Sequence, residues 1–144
     1  NILFDKDANE AKTVIDLDTV MPGLSAHDFG DSIRFGAATA AEDEADWTKM
    51  KLDLHLFEVY TKGFLEAAPN LTAKEVEMLP MGALIMTLEV GIRFLKDYLD
   101  GDLYFKTKYP EHNLVRARTQ LALVADMLSK RDDMQRIVKE VSGT

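Results

Sequence analysis

The residues best placed for chemistry stand close together near the start of the chain: Val14-Ile15-Asp16-Leu17-Asp18-Thr19-Val20-Met21-Pro22-Gly23, followed by His27-Asp28-Phe29-Gly30-Asp31. A short apolar strand that ends in one carboxylate, with a second carboxylate two residues on, can anchor its backbone while aiming Asp16 into a cleft. That donor chemistry suits a hard divalent cation, since Mg²⁺ takes oxygen ligands, binds through few protein groups and leaves its other positions to water and phosphate oxygens. Two aspartates beside a turn also have a plainer use, because each can hydrogen-bond its own backbone and shape the turn. Residue chemistry alone leaves both uses open. Ser25 followed three residues later by Asp28 has the form of a capping box, and Asp31 adds first-turn charge that favours the helix dipole.

Glu89, Arg93 and Asp97 recur at i, i+4 and i+8 and form a polar stripe. The ordinary reading is a solvated ion-pair face, worth a few tenths of a kcal/mol per pair. His27, His55 and His112 lack the spacing of a metal site and are expected at the surface or at helix ends. There is no cysteine, which removes disulfides, thiolate zinc sites and thiol nucleophiles together and is economical for a protein of the reducing cytoplasm. No nucleophile elbow, phosphate-binding Walker loop or dinucleotide fingerprint occurs. The formal charge of −8 disfavours nucleic acid and anionic membrane surfaces as partners. No continuous run approaches the roughly 20 apolar residues of a membrane span, so a soluble chain is expected.

The elements that must position these residues follow from periodicity. Ile2-Leu3-Phe4 and Thr13-Val14-Ile15-Asp16-Leu17 read as two strands of a hairpin joined by the polar stretch 5–11. A lone hairpin is barely stable in water, so it is expected to lean on the helices that follow or on strands outside this chain. After Met21-Pro22-Gly23 the period becomes helical. Helices are expected from Ser25 through Ala38, from Trp47 to Ala68, and from a Thr72/Glu75 capping box to Pro80, which closes or kinks the helix. Ile85, Leu88, Ile92, Leu95 and Leu99 alternate steps of three and four and line one face, which is expected to be apolar core. Gly101 is placed to cap that helix. Leu114, Ala117, Leu121, Val124 and Leu128 repeat the spacing on a long helix, and 132–141 is a final amphipathic piece. The expected architecture is mainly α in one domain over 1–144, with a hairpin and carboxylate segment at 1–20 and a helical subdomain at 21–144.

The words Asn1-Ile2-Leu3-Phe4-Asp5, Val14-Ile15-Asp16-Leu17-Asp18, Gly23 and Asp28, with Arg93-Phe94-Leu95-Lys96-Asp97-Tyr98-Leu99-Asp100-Gly101-Asp102 and His112-Asn113-Leu114-Val115-Arg116, resemble the aminoglycoside phosphotransferase and choline kinase family over nearly the whole chain. These are small-molecule kinases of protein-kinase-like fold, and the resemblance is strongest to members that phosphorylate an N-acetylhexosamine at its anomeric hydroxyl. It implies the helical carboxyl-terminal lobe of a kinase that uses ATP and Mg²⁺, with Asn1 and Asp16 as metal ligands and Asp18 as metal support or acceptor contact. It implies Asp28 as the acid that brace the catalytic loop, against its plain role in the capping box, and Arg93 and Tyr104 as contacts to the sugar, against the solvated stripe. The family's catalytic base stands five residues before the loop asparagine, so the resemblance places it, and the lobe that covers ATP, upstream of Asn1. The 144 residues alone are then expected to be inactive and to self-associate through apolar surface that the missing lobe would cover. A second reading from another class is a non-catalytic helical module for interaction or oligomerisation.

Overall fold

The computed structural model describes residues 2–18 and 20–143. Two strands, β1 (Ile2–Phe4) and β2 (Ala11–Val14), precede five helices: α1 (Ser25–Gly36), α2 (Leu54–Ala67), α3 (Ala73–Asp100), α4 (His112–Ser129) and α5 (Arg131–Ser142). The fold is mainly α with a small antiparallel sheet, as the periodicity predicts.

The long helix α3 is the axis of the molecule. Its start is a reciprocal capping box: the Thr72 hydroxyl accepts from the Glu75 backbone N–H, and the Glu75 carboxylate accepts from the Thr72 N–H at 2.8 Å. Its end is Gly101 at φ +94°, in the left-handed region that glycine enters without a steric penalty. Pro80, expected to break the segment, instead lies buried inside one continuous helix of 28 residues. A helix-interior proline costs about 3 kcal/mol. Packing of α3 against α1 and α4 on both sides of Pro80 outweighs that local cost.

Which face of α3 packs inward is decided by small residues. A Cβ on Gly82 would lie 2.1 Å from the Ala26 carbonyl oxygen, and one on Gly30 would lie 2.4 Å from the Gly82 carbonyl oxygen, so α1 and α3 cross backbone against backbone. On the α4 side a Cβ on Gly91 would meet Gln120 Cβ at 3.1 Å. Leu79, Ala83, Thr87, Phe94 and Asp97 continue this buried face. The Leu/Ile stripe therefore points outward, contrary to the sequence expectation: Ile92 is 54% and Leu99 74% exposed, with Ile85 and Leu88 also exposed. On α4, Ala117 and Val124 are buried, whereas Leu121 and Leu128 face solvent. Close approach of two backbones brings many atoms into contact, and a face of large side chains prevents it. By length and composition α3 is also apolar enough to cross a membrane, with 44% of its most apolar window buried inside the molecule.

The expected helix over Trp47–Ala68 is divided. A 3₁₀ turn spans Trp47–Lys49, and α2 begins only after Asp53, whose carboxylate accepts from the His55 and Leu56 N–H groups at 2.8 and 3.0 Å. Phe29 is surrounded edge-on by the rings of Phe57, Tyr60 and Phe64. Met50, Met127 and Met134 are fully buried in the same core, the gap-filling role expected of methionine. Trp47, which opens the 3₁₀ turn, is half exposed.

The hairpin pairs Ile2 with Val14 and Leu3 with Thr13, with an irregularity between Leu3 and Phe4. Every strand residue is exposed. Among the described residues no helix forms a packed interface with it, so of the two supports expected for the hairpin, leaning on this chain's helices is not observed there. Gly82→Ala is expected to destabilise by more than about 3 kcal/mol, because its methyl group meets rigid backbone. Gly63→Ala, mid-helix with open space around it, is expected to gain about 0.5–1 kcal/mol. Urea unfolding of the two variants checks both signs.

Candidate functional site

The carboxylate segment leaves the hairpin without further strand. β2 ends at Val14, and Asp16 sits at φ +65°, a left-handed conformation that aspartate tolerates better than most residues. Asp16 and Asp18 are both exposed. Two carboxylates in this setting match the donor chemistry of a largely hydrated Mg²⁺, which takes one or two carboxylates and completes its shell with phosphate and water. Among the described residues no group of three or more histidines or acids is placed to hold a metal. Asn1, the other expected ligand, lies outside the described residues.

The expected Ser25–Asp28 capping box does not form. The N-cap of α1 is Leu24, without a side-chain cap, and Ser25 is already helical. Asp28 is exposed in the first turn of α1, where its charge favours the helix dipole. The Glu75 carboxyl is held below the ordinary glutamate range, chiefly by hydrogen bonds from Thr72 and to a lesser degree by Ser25.

Arg93 and Tyr104 do come together, and the residue that joins them is Asp97. Asp97 was expected on a solvated stripe with Glu89 and Arg93. Only the outer pair follows that pattern, Arg93 standing 3.6 Å from Glu89 with both side chains about half exposed. Asp97 is buried, because it continues the inward face of α3. After Gly101 and Asp102, both in the left-handed region, the chain turns back. Asp97 Oδ1 then accepts from the Leu103 and Tyr104 N–H groups at 3.0 and 2.8 Å, and Oδ2 from the Phe105 N–H at 2.9 Å. Asn113 of α4 donates to Asp97 and to Asp102 through one amide nitrogen, at 2.9 and 2.8 Å. Burial pushes the Asp97 carboxyl up, but the hydrogen bonds from Phe105, Tyr104 and Leu103 favour the ionised form and hold its pKa below the usual aspartate value.

This anchor presents an aromatic wall. Phe105 packs on Phe94 with ring centroids 4.7 Å apart, and Tyr104 meets Phe105 edge-on at 4.8 Å. The Arg93 guanidinium lies 5.7 Å from the Tyr104 ring centre and 5.5 Å from that of Phe105, an attraction worth roughly 0.5–1 kcal/mol at an exposed site. With the Lys96–Asp100 ion pair these groups line an open cavity of about 460 Å³. The combination offers a flat apolar surface beside charged hydrogen-bonding groups of both signs, which matches a ring that carries hydroxyls.

A second polar cluster was missed by sequence reasoning. Glu42 receives Arg34 at 2.7 Å and stands 3.7 Å from Arg116 Nε, and Asp43 receives Lys108 at 2.8 Å. His112, expected at the surface or at a helix end, does open α4 but is fully buried there: its Nδ1 accepts from the Lys108 backbone N–H, so Nε2 carries the proton toward Asp43 at 3.3 Å. Arg116 Nε has no hydrogen bond, and its guanidinium sits 5.2 Å from the Phe94 ring centre. These partners lie 65 or more residues apart for the Asp43 pairs, and no local spacing could have grouped them. The cluster joins the connector after α1 to α4 through mutually neutralising pairs and lines a cleft of about 330 Å³.

No protein-family model matches the chain. The Asp97 anchor predicts a pH response of definite sign. A carboxyl whose folded pKa is depressed stabilises the fold above its unfolded value, and that stabilisation is lost as pH falls through the folded pKa. Amide protection at 103–105 is therefore expected to hold across neutral pH and to collapse only below the ordinary aspartate range. In Asp97→Asn it is lost already at pH 7, as hydrogen exchange would report. Unchanged protection in that variant would remove Asp97 as the anchor.

Proposed function

We propose that this chain is the helical carboxyl-terminal lobe of an ATP- and Mg²⁺-dependent small-molecule kinase, similar to the aminoglycoside phosphotransferase and choline kinase family, acting on the anomeric hydroxyl of an N-acetylhexosamine. The observation that carries the reading is the wall of Arg93, Tyr104 and Phe105 held by Asp97. Its chemistry is that of a sugar subsite, and Arg93 and Tyr104 are the two residues the family resemblance selects for that role. The exposed hairpin adds support: Ile2, Leu3, Phe4, Val14 and Ile15 lie open, an apolar surface of the kind a second lobe would cover.

In phosphoryl transfer a protein mainly positions the reactants and neutralises charge, with the metal bridging the phosphates. In this reading Asp16 and Asn1 hold Mg²⁺, and Asp18 supports it through water or touches the acceptor. Tyr104 stacks on the sugar ring while Arg93 donates to its hydroxyls. The bound ion supplies charge neutralisation on the phosphate oxygens. In this reading the base that takes the hydroxyl proton is the aspartate that the family places five residues before the loop asparagine.

The test is an ATP-dependent assay with N-acetylglucosamine or N-acetylgalactosamine. The 144 residues alone are expected to give no turnover, and extension upstream into a frame carrying His-x-Asp in register before Asn1 is expected to restore it. In that longer protein Arg93→Ala is expected to raise KM for the sugar about tenfold and to leave KM for ATP unchanged. An unchanged sugar KM takes Arg93 out of the subsite. An upstream frame without the motif leaves the second reading, a helical module for association, which the outward stripe of α3 favours.

A further inference from the structure

The aliphatic stripe of α3 is used by neither the core nor the candidate site. Ile85, Leu88, Ile92, Leu95 and Leu99 keep steps of three and four, a spacing shared by a core-facing helix and a helix–helix seam, and four of the five lie exposed rather than in the core. Beside it run Leu121, Ala125 and Leu128 of α4, all exposed. Between the two helices lies a shallow apolar groove of about 180 Å³, bordered by Met81, Leu84, Ile85, Leu88, Val124 and Leu128.

We propose that this face is a homodimer interface, on which a second copy of the chain packs its own α3–α4 seam about a two-fold axis. The surface is suited to its own copy, since each protomer brings both projecting Leu and Ile side chains and a groove that receives one, as an isologous contact requires. The exposed fractions of Ile85, Leu88, Ile92, Leu121 and Leu128 amount to on the order of 400 Å² of apolar surface. A standard interface buries about 800 Å² per partner, a little over half of it apolar, so the patch matches what a stable dimer needs. Arg131 lines one end of the groove, and Glu89, which pairs with Arg93 within the chain, stands one turn from Ile85 and Ile92 on α3. The inference stands independently of the kinase reading and of the hairpin.

Sedimentation equilibrium of the 144-residue chain over a concentration series is expected to show a dimer that dissociates on dilution. Ile92→Glu and Leu121→Glu change exposed helix positions to a good helix former, so helical circular dichroism is expected to persist while the dimer Kd rises at least about tenfold. Phe4→Ser in the hairpin is expected to leave the dimer intact. Because the chain has no cysteine, Leu88→Cys at the seam centre is expected to give a disulfide-linked dimer on oxidation well above that of the exposed control Phe35→Cys. The proposal is overturned by a monomer at every concentration, by association that Phe4→Ser abolishes and Ile92→Glu does not, by equal cross-linking of the two cysteine variants, or by a monomer that floats with phosphatidylcholine vesicles.

Discussion

The contact between Gly30 and Gly82, where α1 and α3 meet with no room for a methyl group on either side, fixes the rotation of α3 about its own axis. Gly82 faces α1 and Gly91, half a turn round the helix, faces α4, and the arc between these two directions holds Leu79, Ala83, Thr87, Phe94 and Asp97, which turn inward. The same rotation turns Ile85, Leu88, Ile92 and Leu99 outward. Core, anchored loop and exposed seam are thus consequences of two close approaches, α1 on Gly82 and α4 on Gly91. The buried proline fits the same account, since a helix clamped on two sides tolerates the loss of one internal hydrogen bond.

Burial of Asp97 shows how that rotation creates a site. An aspartate at the inward end of a helix has to be compensated, because an ionised carboxyl without partners is costly away from water. The chain compensates it with the backbone of its own following segment, whose N–H groups at 103, 104 and 105 converge on the two oxygens. Satisfying the carboxylate therefore fixes the backbone that carries Tyr104 and Phe105, and Arg93, one turn before Asp97 on α3, reaches both rings. The polar cluster around Glu42, Asp43 and His112 does a comparable service for the connector after α1. There Thr119 also donates to the Glu42 carbonyl at 2.6 Å.

The hairpin stands apart from this logic. It forms from local pairing and β-branched residues, yet its strand residues are exposed and, among the described residues, no helix packs on it. Asp16 and Asp18 follow directly on this exposed strand. The wall at Arg93 and Tyr104, by contrast, is built on rigid helix and a satisfied buried charge.

The sequence by itself determined what local physics controls. The capping box at Thr72 and Glu75, the glycine end at Gly101, the hairpin strands and the predominance of helix were all legible, because each depends on residues within a few positions of one another. Of the candidate site, Arg93 and Tyr104 stood in the sequence only as separate expected sugar contacts, and neither their packing together nor the role of Asp97 was legible. Its three backbone partners come from a chain reversal that i, i+4 spacing does not encode. The inward face of α3 was misread for a related reason: hydropathy ranks Leu and Ile above Gly and Ala, but a helix buries the face on which another backbone can come closest. Only the tertiary structure decided that face, and with it the burial of His112 and the exposure of the seam. Those outcomes depend on which distant segments meet, and periodicity along one helix carries no information about its neighbours.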